Sequence, residues 1–291
     1  MVNPVSGTDD KQQAVEWIRS RLDARRYLAE VVTTDHAGHA MEIAARCARQ
    51  GAWAVVAVGG DGTVNEVARS LVHTPTALGI LPCGSGNGLA RTLRIPVDSP
   101  QAVDIINAGR VRTVDYGRIN DRLFFCTCGV GFDAVVSMRF AQAGRRGLLT
   151  YLETAVAEAV EYHSEDYELE VDGGPALRTR AFLIACGNAS QWGNNAYITP
   201  RAEMDDGLLD VTIVEPFLMI EAPALGLQLF TKTIDQNLRI KTFRCRHLTI
   251  RRQQEGVVHY DGEPAQMGNQ VDVDIIGQGL RVLAPPVANN D

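Results

Sequence analysis

Apolar positions in the first hundred residues alternate between helical and strand spacing. Ala14, Ile18 and Leu22 recur every four residues, which predicts one apolar helix stripe. Glu30 to Thr34 is a short β-rich run. Met41, Ala44, Ala45 and Ala48 predict a second helix face, closed by Gly51. Ala52–Val58 is a continuous apolar run, as expected of a strand covered on both sides. Val64, Val67, Ala68 and Leu71 follow at i, i+3, i+4, i+7. Ala77–Leu81 reads as another buried strand, and a further helix leads towards Leu93. This rhythm predicts an α/β unit built on a parallel sheet.

The rhythm changes after about Arg112. Strand-like runs dominate: VDYGRI, RLFFCTC, YELEV, RTRAFLIAC, GLLDVTIV, HLTIRR, GVVHY, QVDVDII and LRVLA. Turn pairs separate several of them, at Asn120-Asp121, Asp172-Gly173, Asp206-Gly207 and Asp261-Gly262. Leu209, Val211 and Ile213 alternate with polar positions, which predicts a half-buried antiparallel strand. One strong helix is expected around Leu148 to Val160 and another over Glu221 to Thr231. The expected organisation is an α/β domain over residues 1–113 and a mainly antiparallel β domain over 114–276, with 277–291 packing back on the first.

Composition narrows the function classes. The chain has 291 residues, enough for two domains. Its 28 Lys+Arg against 35 Asp+Glu give a net charge of −7. That balance offers no general attraction to nucleic acid or an anionic bilayer. No apolar run approaches the length of a membrane span. Met1-Val2-Asn3-Pro4 has neither a basic nor an apolar leader pattern, so no signal peptide is expected. Cys47, Cys83, Cys126, Cys128, Cys186 and Cys245 show neither a CxxC pair nor zinc spacing, and are expected as reduced thiols in a cytoplasmic protein.

Two glycine-rich segments carry the candidate chemistry. Gly59-Gly60-Asp61-Gly62-Thr63-Val64-Asn65 sits where a buried strand gives way to a helix, the ligand-binding edge of an open α/β sheet. Backbone N–H groups there can close on a phosphate, aided by the helix N-terminus. Asp61 can order a cation's waters, accept a proton, or simply cap the helix. Cys83-Gly84-Ser85-Gly86-Asn87-Gly88 repeats the strand-to-helix placement, so the two loops together predict a wall of amide donors. Neither is a Walker loop or a GxGxxG fingerprint. Asn3-Pro4-Val5-Ser6-Gly7 could cap the same wall or be a plain turn. Arg145 and Arg146 could meet phosphate or lie exposed. His36 and His39 read as surface or capping residues rather than metal ligands.

NPVSG, TTDHAGHA, GGDGTVNEV and LPCGSGNGLAR, followed in order by Val114-Asp115, Gly131-Phe132, PRAEMDDGLL and Asp261-Gly262-Glu263, resemble the diacylglycerol kinase catalytic family. The resemblance, which also takes in sphingosine kinases, spans nearly the whole chain. It implies an ATP- and Mg²⁺-dependent lipid kinase, with an α/β nucleotide-binding domain and a β-rich lipid-binding domain. By motif match, Asn3, Pro4, Val5, Ser6, Gly7, Thr34, Gly59, Gly60, Asp61, Gly62, Thr63, Val64, Asn65 and Ser85 would contact the nucleotide. Asp61 and Asp115 would share the catalytic Mg²⁺ or its waters. Asp206, with Glu203 and Leu208, would hold a structural Mg²⁺; a hairpin turn is the other reading of that segment. Glu263 would be the general base, with Asp61 as the alternative.

The implied acceptor is diacylglycerol or a sphingoid base, reached by transient contact with a membrane surface. A homodimer is left open. Asp133 could meet a sphingoid amine or hydroxyl. Some of the aliphatic residues around Leu148–Val160 could line an acyl cavity instead of the core. GSGNGLA is closer to the sphingosine kinase GSGNALA than to the bacterial GTxNDFA. In the family an apolar strand precedes NPxSG, so a sheet short of its first strand is expected, from a late start codon or a shortened chain. An NAD kinase-like enzyme, which shares GGDGT, and a non-catalytic lipid- or nucleotide-binding regulator are the alternatives.

Overall fold

A computed structural model describes residues 1–2, 11–97, 100–142, 153–154, 158–159 and 161–286. The expected NPVSG contact, the Arg145-Arg146 pair and most of the Leu148–Val160 helix lie outside the described residues. The chain divides into two compact units, Met1–Val114 with Gln278–Asp291, and Asp115–Gly277.

In the first unit, strands β1 (Ala54–Gly59) and β2 (Ala77–Pro82) pair in parallel, with Gly59 opposite Pro82. The last part of β14 (Gln270–Leu283) adds to β2 through Val282 opposite Leu78, again in parallel. Helices α1 (Lys11–Arg21) and α5 (Gln101–Ala108) accompany the sheet, and Ile106 and Leu22 pack with Ala77 and Leu283. Helices α2 (His39–Arg49) and α3 (Asp61–Leu71) pack on each other, and α3 lies on β1 and β2. Val64, Val67, Ala68 and Leu71 are all buried, as their spacing predicts. The inward face of α2 instead uses Ala40, Ile43 and Ala44, and Met41 is exposed. The isoleucine defines that stripe better than the methionine. Glu30–Thr34 supplies only an isolated bridge: Val2 pairs in parallel with both Thr33 and Val58. The short helix α4 (Gly88–Thr92) leads to a buried Leu93.

The second unit is an antiparallel sandwich. One sheet runs in the order β10 (Ile240–Cys245), β9 (Leu209–Val214), β8 (Leu183–Gly187), β5 (Thr127–Gly131), β12 (Gly256–Tyr260), β13 (Glu263–Met267). In the other, β11 (His247–Arg252) lies between β14 and β6 (Glu165–Val171), with β7 (Leu177–Ala181) beyond β6. The hairpin of β3 (Val111–Ile119) and β4 (Arg122–Phe124) joins it through β3 and β14. Phe124, Leu169, Leu248 and Val273 of this sheet share one core with Cys128, Ile184, Val211 and Val258 of the first.

The opposite face of the first sheet is covered too. Phe182, Leu183, Ala185 and Val214 form a second cluster with Ile198, Leu225 and Ile234. That is why β9 is buried on both sides, with Thr212 1% exposed, and not the half-buried strand its alternation predicts. Helix α6 (Phe132–Gln142) packs on β5, β12 and β13. Helix α7 (Ala222–Phe230) follows a 3-10 turn over Met219–Glu221.

Candidate functional site

The two glycine loops meet in the first unit. Each follows a parallel strand and opens a helix, and the β1–β2 register sets Gly59 beside Pro82. Cys83 N–H donates to the Gly59 carbonyl at 2.9 Å, extending the pairing beyond the strands. A Cβ on Gly84 would fall 2.5 Å from the Gly60 Cα, and one on Gly86 would fall 2.6 Å from Asp61 Oδ2. These glycines are therefore required by loop-on-loop packing. Gly62 is different: it is exposed, and a Cβ there would meet nothing within 4 Å.

Asp61 fastens the loops together. Its Oδ2 accepts the Asn87 N–H at 2.8 Å and its Oδ1 the Gly88 N–H at 2.7 Å. Burial pushes its carboxyl above the usual range, against the pull of these two amides and of Arg91. Arg91 Nε donates to the Gly86 carbonyl at 2.9 Å. Asn87 closes the second loop from inside: it sits in the left-handed region at φ 52, its Oδ1 accepts the Gly84 N–H at 3.0 Å, and its Nδ2 donates to the Gly84 carbonyl. Sequence reasoning passed over Asn87. The signal was an asparagine after a glycine at a strand-to-helix turn, where the αL conformation favours Asn.

Ser85 is exposed at the tip of the second loop, while Thr63, Val64 and Asn65 are buried in the first turns of α3. Thr34 is buried, and its N–H donates to the Val2 carbonyl at 2.9 Å. Asp35, just beyond, holds His36 and His39, whose rings stack 4.5 Å apart. Among the described residues, Asp35, His36 and His39 bring their ligand atoms within 4.8 Å of one another.

The second unit holds the remaining candidates. Asp261 and Gly262 take φ 51 and φ 80 at the β12–β13 turn, and Glu263 opens β13 half-buried. Asp261 is an amide clamp: Oδ2 accepts the Phe125 N–H at 2.7 Å, and Oδ1 accepts Cys126 at 2.7 Å and Thr127 at 3.1 Å. Of the Asp261-Gly262-Glu263 triplet, the aspartate builds the turn and the glutamate flanks it. Asp115 Oδ2 accepts the Gly207 N–H at 2.7 Å, so Asp115 and the 203–208 segment belong to one cluster. There Asp206 Oδ1 accepts the Leu208 N–H at 3.0 Å, and Arg244 Nη1 approaches Asp206 Oδ2 at 3.4 Å. Burial raises the Asp210 carboxyl, with Arg244 opposing and Asp206 and Glu203 adding to the rise.

Asp133 lies in the same unit, 3% exposed, with its Oδ2 2.8 Å from His259 Nε2. Gly129 makes room for this pair, since a Cβ there would be 2.6 Å from Asp133 Oδ2. His259 was another residue that sequence reasoning passed over. A cavity of 370 Å³ opens beside Gly131, Glu165 and Arg252. The Arg252 guanidinium is committed to the carbonyls of Gly256, Val257, Met267 and Gly268, so it offers few N–H donors to that cavity.

Residues 1–119 match the diacylglycerol kinase catalytic domain, and residues 126–284 match the YegS C-terminal NAD kinase beta sandwich-like domain. The chain belongs to the diacylglycerol kinase family. It is 33% identical over 224 residues to a diacylglycerol kinase of Mycobacterium tuberculosis, covering 74% of this chain and 72% of that one. A YegS-like lipid kinase of Pseudomonas putida is 29% identical over 268 residues, or 89% of this chain and 88% of that one. Among solved structures, a diacylglycerol kinase from Bacillus anthracis superposes with a TM-score of 0.73 at 20% identity, covering 98% and 95% of the two chains. An NAD kinase from Archaeoglobus fulgidus in complex with ATP superposes with a TM-score of 0.55 at 14% identity, covering 97% and 91%. Both share the fold: an α/β domain with parallel strands and an antiparallel sandwich. No helix among the described residues is long and apolar enough to cross a membrane.

Proposed function

We propose that this member of the lipid kinase family transfers the terminal phosphate of ATP to a hydroxyl of diacylglycerol or a sphingoid base, with Mg²⁺. The observation that carries the reading is the joined pair of loops, in which Asp61 draws the second loop onto the start of α3. The first-turn N–H groups of a helix have no i−4 carbonyl to bind and point along the axis, which favours an anion at that end. Gly62 leaves that surface open for a phosphate to approach the backbone.

This arrangement divides the roles. Asp61 has both carboxylate oxygens on amides, which gives it the building of the phosphate wall as its role. Glu263, the glutamate of the Asp-Gly-Glu segment that resembles the family's motif, is the general base in this reading, with Asp61 as the alternative. A positioned base contributes about 10²–10⁴-fold, the rest coming from orientation and charge neutralisation. The oxygen donors of Asp115 and Asp206, with Glu203 and the backbone at Leu208, suit a hard cation. Asp206, Glu203 and Leu208 would hold a structural Mg²⁺, and Asp115 would serve a catalytic Mg²⁺, which supplies neutralisation of negative charge when bound.

The test is phosphoryl transfer from γ-labelled ATP by purified protein to dioctanoylglycerol, sphingosine or NAD, each with and without EDTA. Label in either lipid, abolished by EDTA, supports the reading. Label in NAD alone moves the protein to the nucleotide-kinase class. No label in any acceptor, from a folded protein that binds ATP, overturns the enzyme.

A further inference from the structure

Helix α7, Ala222–Phe230, is apolar on both faces. Its sequence APALGLQLF carries no charged residue. Leu225 is buried, and Leu229 packs with Phe217 against the cluster of Phe182 and Ile198. The outward face should therefore be polar if it met only water. It is not. Ile220 is 86% exposed, Leu227 65% and Phe230 44%, with exposed Pro223 and Ala224 between them at helical spacing. Leu218 and Met219 in the preceding turn, at 67% and 48%, widen the patch.

The charges bordering this face are already matched. Glu221 pairs with Arg239, Glu215 with Lys241, and Asp235 with Arg201. Of the charged residues of 215–241 this leaves Lys232 without a carboxylate among the described residues, its Nζ 4.2 Å over the Tyr197 ring. On a chain of net charge −7, the face is neutral to slightly cationic. An apolar, rigidly anchored stripe with that border suits the headgroup boundary of a phospholipid bilayer, where carboxylates would be repelled by anionic lipid and unpaired charges would resist desolvation.

We infer that Leu218, Met219, Ile220, Leu227 and Phe230 form a membrane-insertion face, by which the second unit docks on a phospholipid bilayer. The choice of a bilayer as occupant rests on the lipid-kinase reading. The face itself rests on the exposed stripe and its balanced border.

The experiment is co-sedimentation of the full chain with phosphatidylcholine vesicles, without ATP or acceptor lipid. The wild type should bind, and Ile220→Glu with Leu227→Glu should weaken binding by about tenfold or more. Thermal melting should be unchanged, since both side chains are exposed. Raising salt from about 50 to about 500 mM should change wild-type binding less than about twofold. A separate Leu227→Trp protein should be quenched by brominated phosphatidylcholine, which guards against a charged variant that merely misfolds.

Equal binding by wild type and the double variant, an unquenched tryptophan, or binding that needs anionic lipid and vanishes in salt would overturn the insertion face. So would light scattering that shows a wild-type dimer converted to monomer by the double variant, because the patch would then be a subunit contact. Vesicle binding by a protein inert with every acceptor would leave the face intact and remove the kinase reading. Phosphorylation of monomeric dioctanoylglycerol without vesicle binding would do the reverse.

Discussion

Single residues separate structural glycines from functional ones. Gly84 abuts the Gly60 backbone, and neither partner can rotate away. Gly84→Ala should destabilise the protein by about 1–3 kcal/mol, the usual cost of overpacking, read by urea titration. Gly62→Ala has open space, and the position belongs to the first turn of α3. Its stability should stay within about 0.5 kcal/mol, while the KM for ATP rises several-fold because a methyl now stands on the phosphate surface. An unchanged KM would place the phosphate elsewhere. Glu263→Gln separates base from scaffold: kcat should fall by about 10²–10⁴-fold with the KM for ATP and the melting temperature held. A loss confined to KM would assign Glu263 to binding.

At the scale of elements, the β12–β13 turn is fixed by Asp261 accepting three N–H groups from the Phe125–Thr127 bend. Asp261→Ala should cost about 2–4 kcal/mol, since amides lose their acceptor and alanine dislikes φ 51. Asp261→Asn keeps one oxygen and a tolerant backbone, so denaturant midpoints should rank wild type, Asn, Ala. The turn itself was legible because Asp-Gly permits two successive positive φ values. Helix α3 was legible because its apolar spacing coincides with its buried face. Strand β10 was not: only Ile240 and Cys245, at its ends, are buried, and Lys241, Thr242 and Arg244 between them are exposed, which leaves no alternation to read. Strand β9 was read with one buried face because sequence shows alternation but not the second cluster that covers Thr212. Asp61 was read as a candidate site residue and not as a fastener, since its partners Asn87 and Gly88 come from a different loop.

Across the whole molecule, each unit has its own core and its own share of the chemistry. The glycine loops and the start of α3 lie in the first unit; Glu263, Asp115 and the Asp206 segment lie in the second. Hydrogen exchange can therefore tell which unit a ligand engages. A non-hydrolysable ATP analogue with Mg²⁺ should slow exchange in the 60–66 and 84–91 segments, whose amides would either bind phosphate or lie on the loops that do. Strands β8 and β9 are buried on both faces and bonded on both edges, so their amides are already protected and should change little. Protection spread evenly over both units would reflect general stabilisation by mass action and not a local site. Protection confined to the sandwich, with the glycine loops unchanged, would mean that the nucleotide does not bind where two parallel strands bring their glycines together.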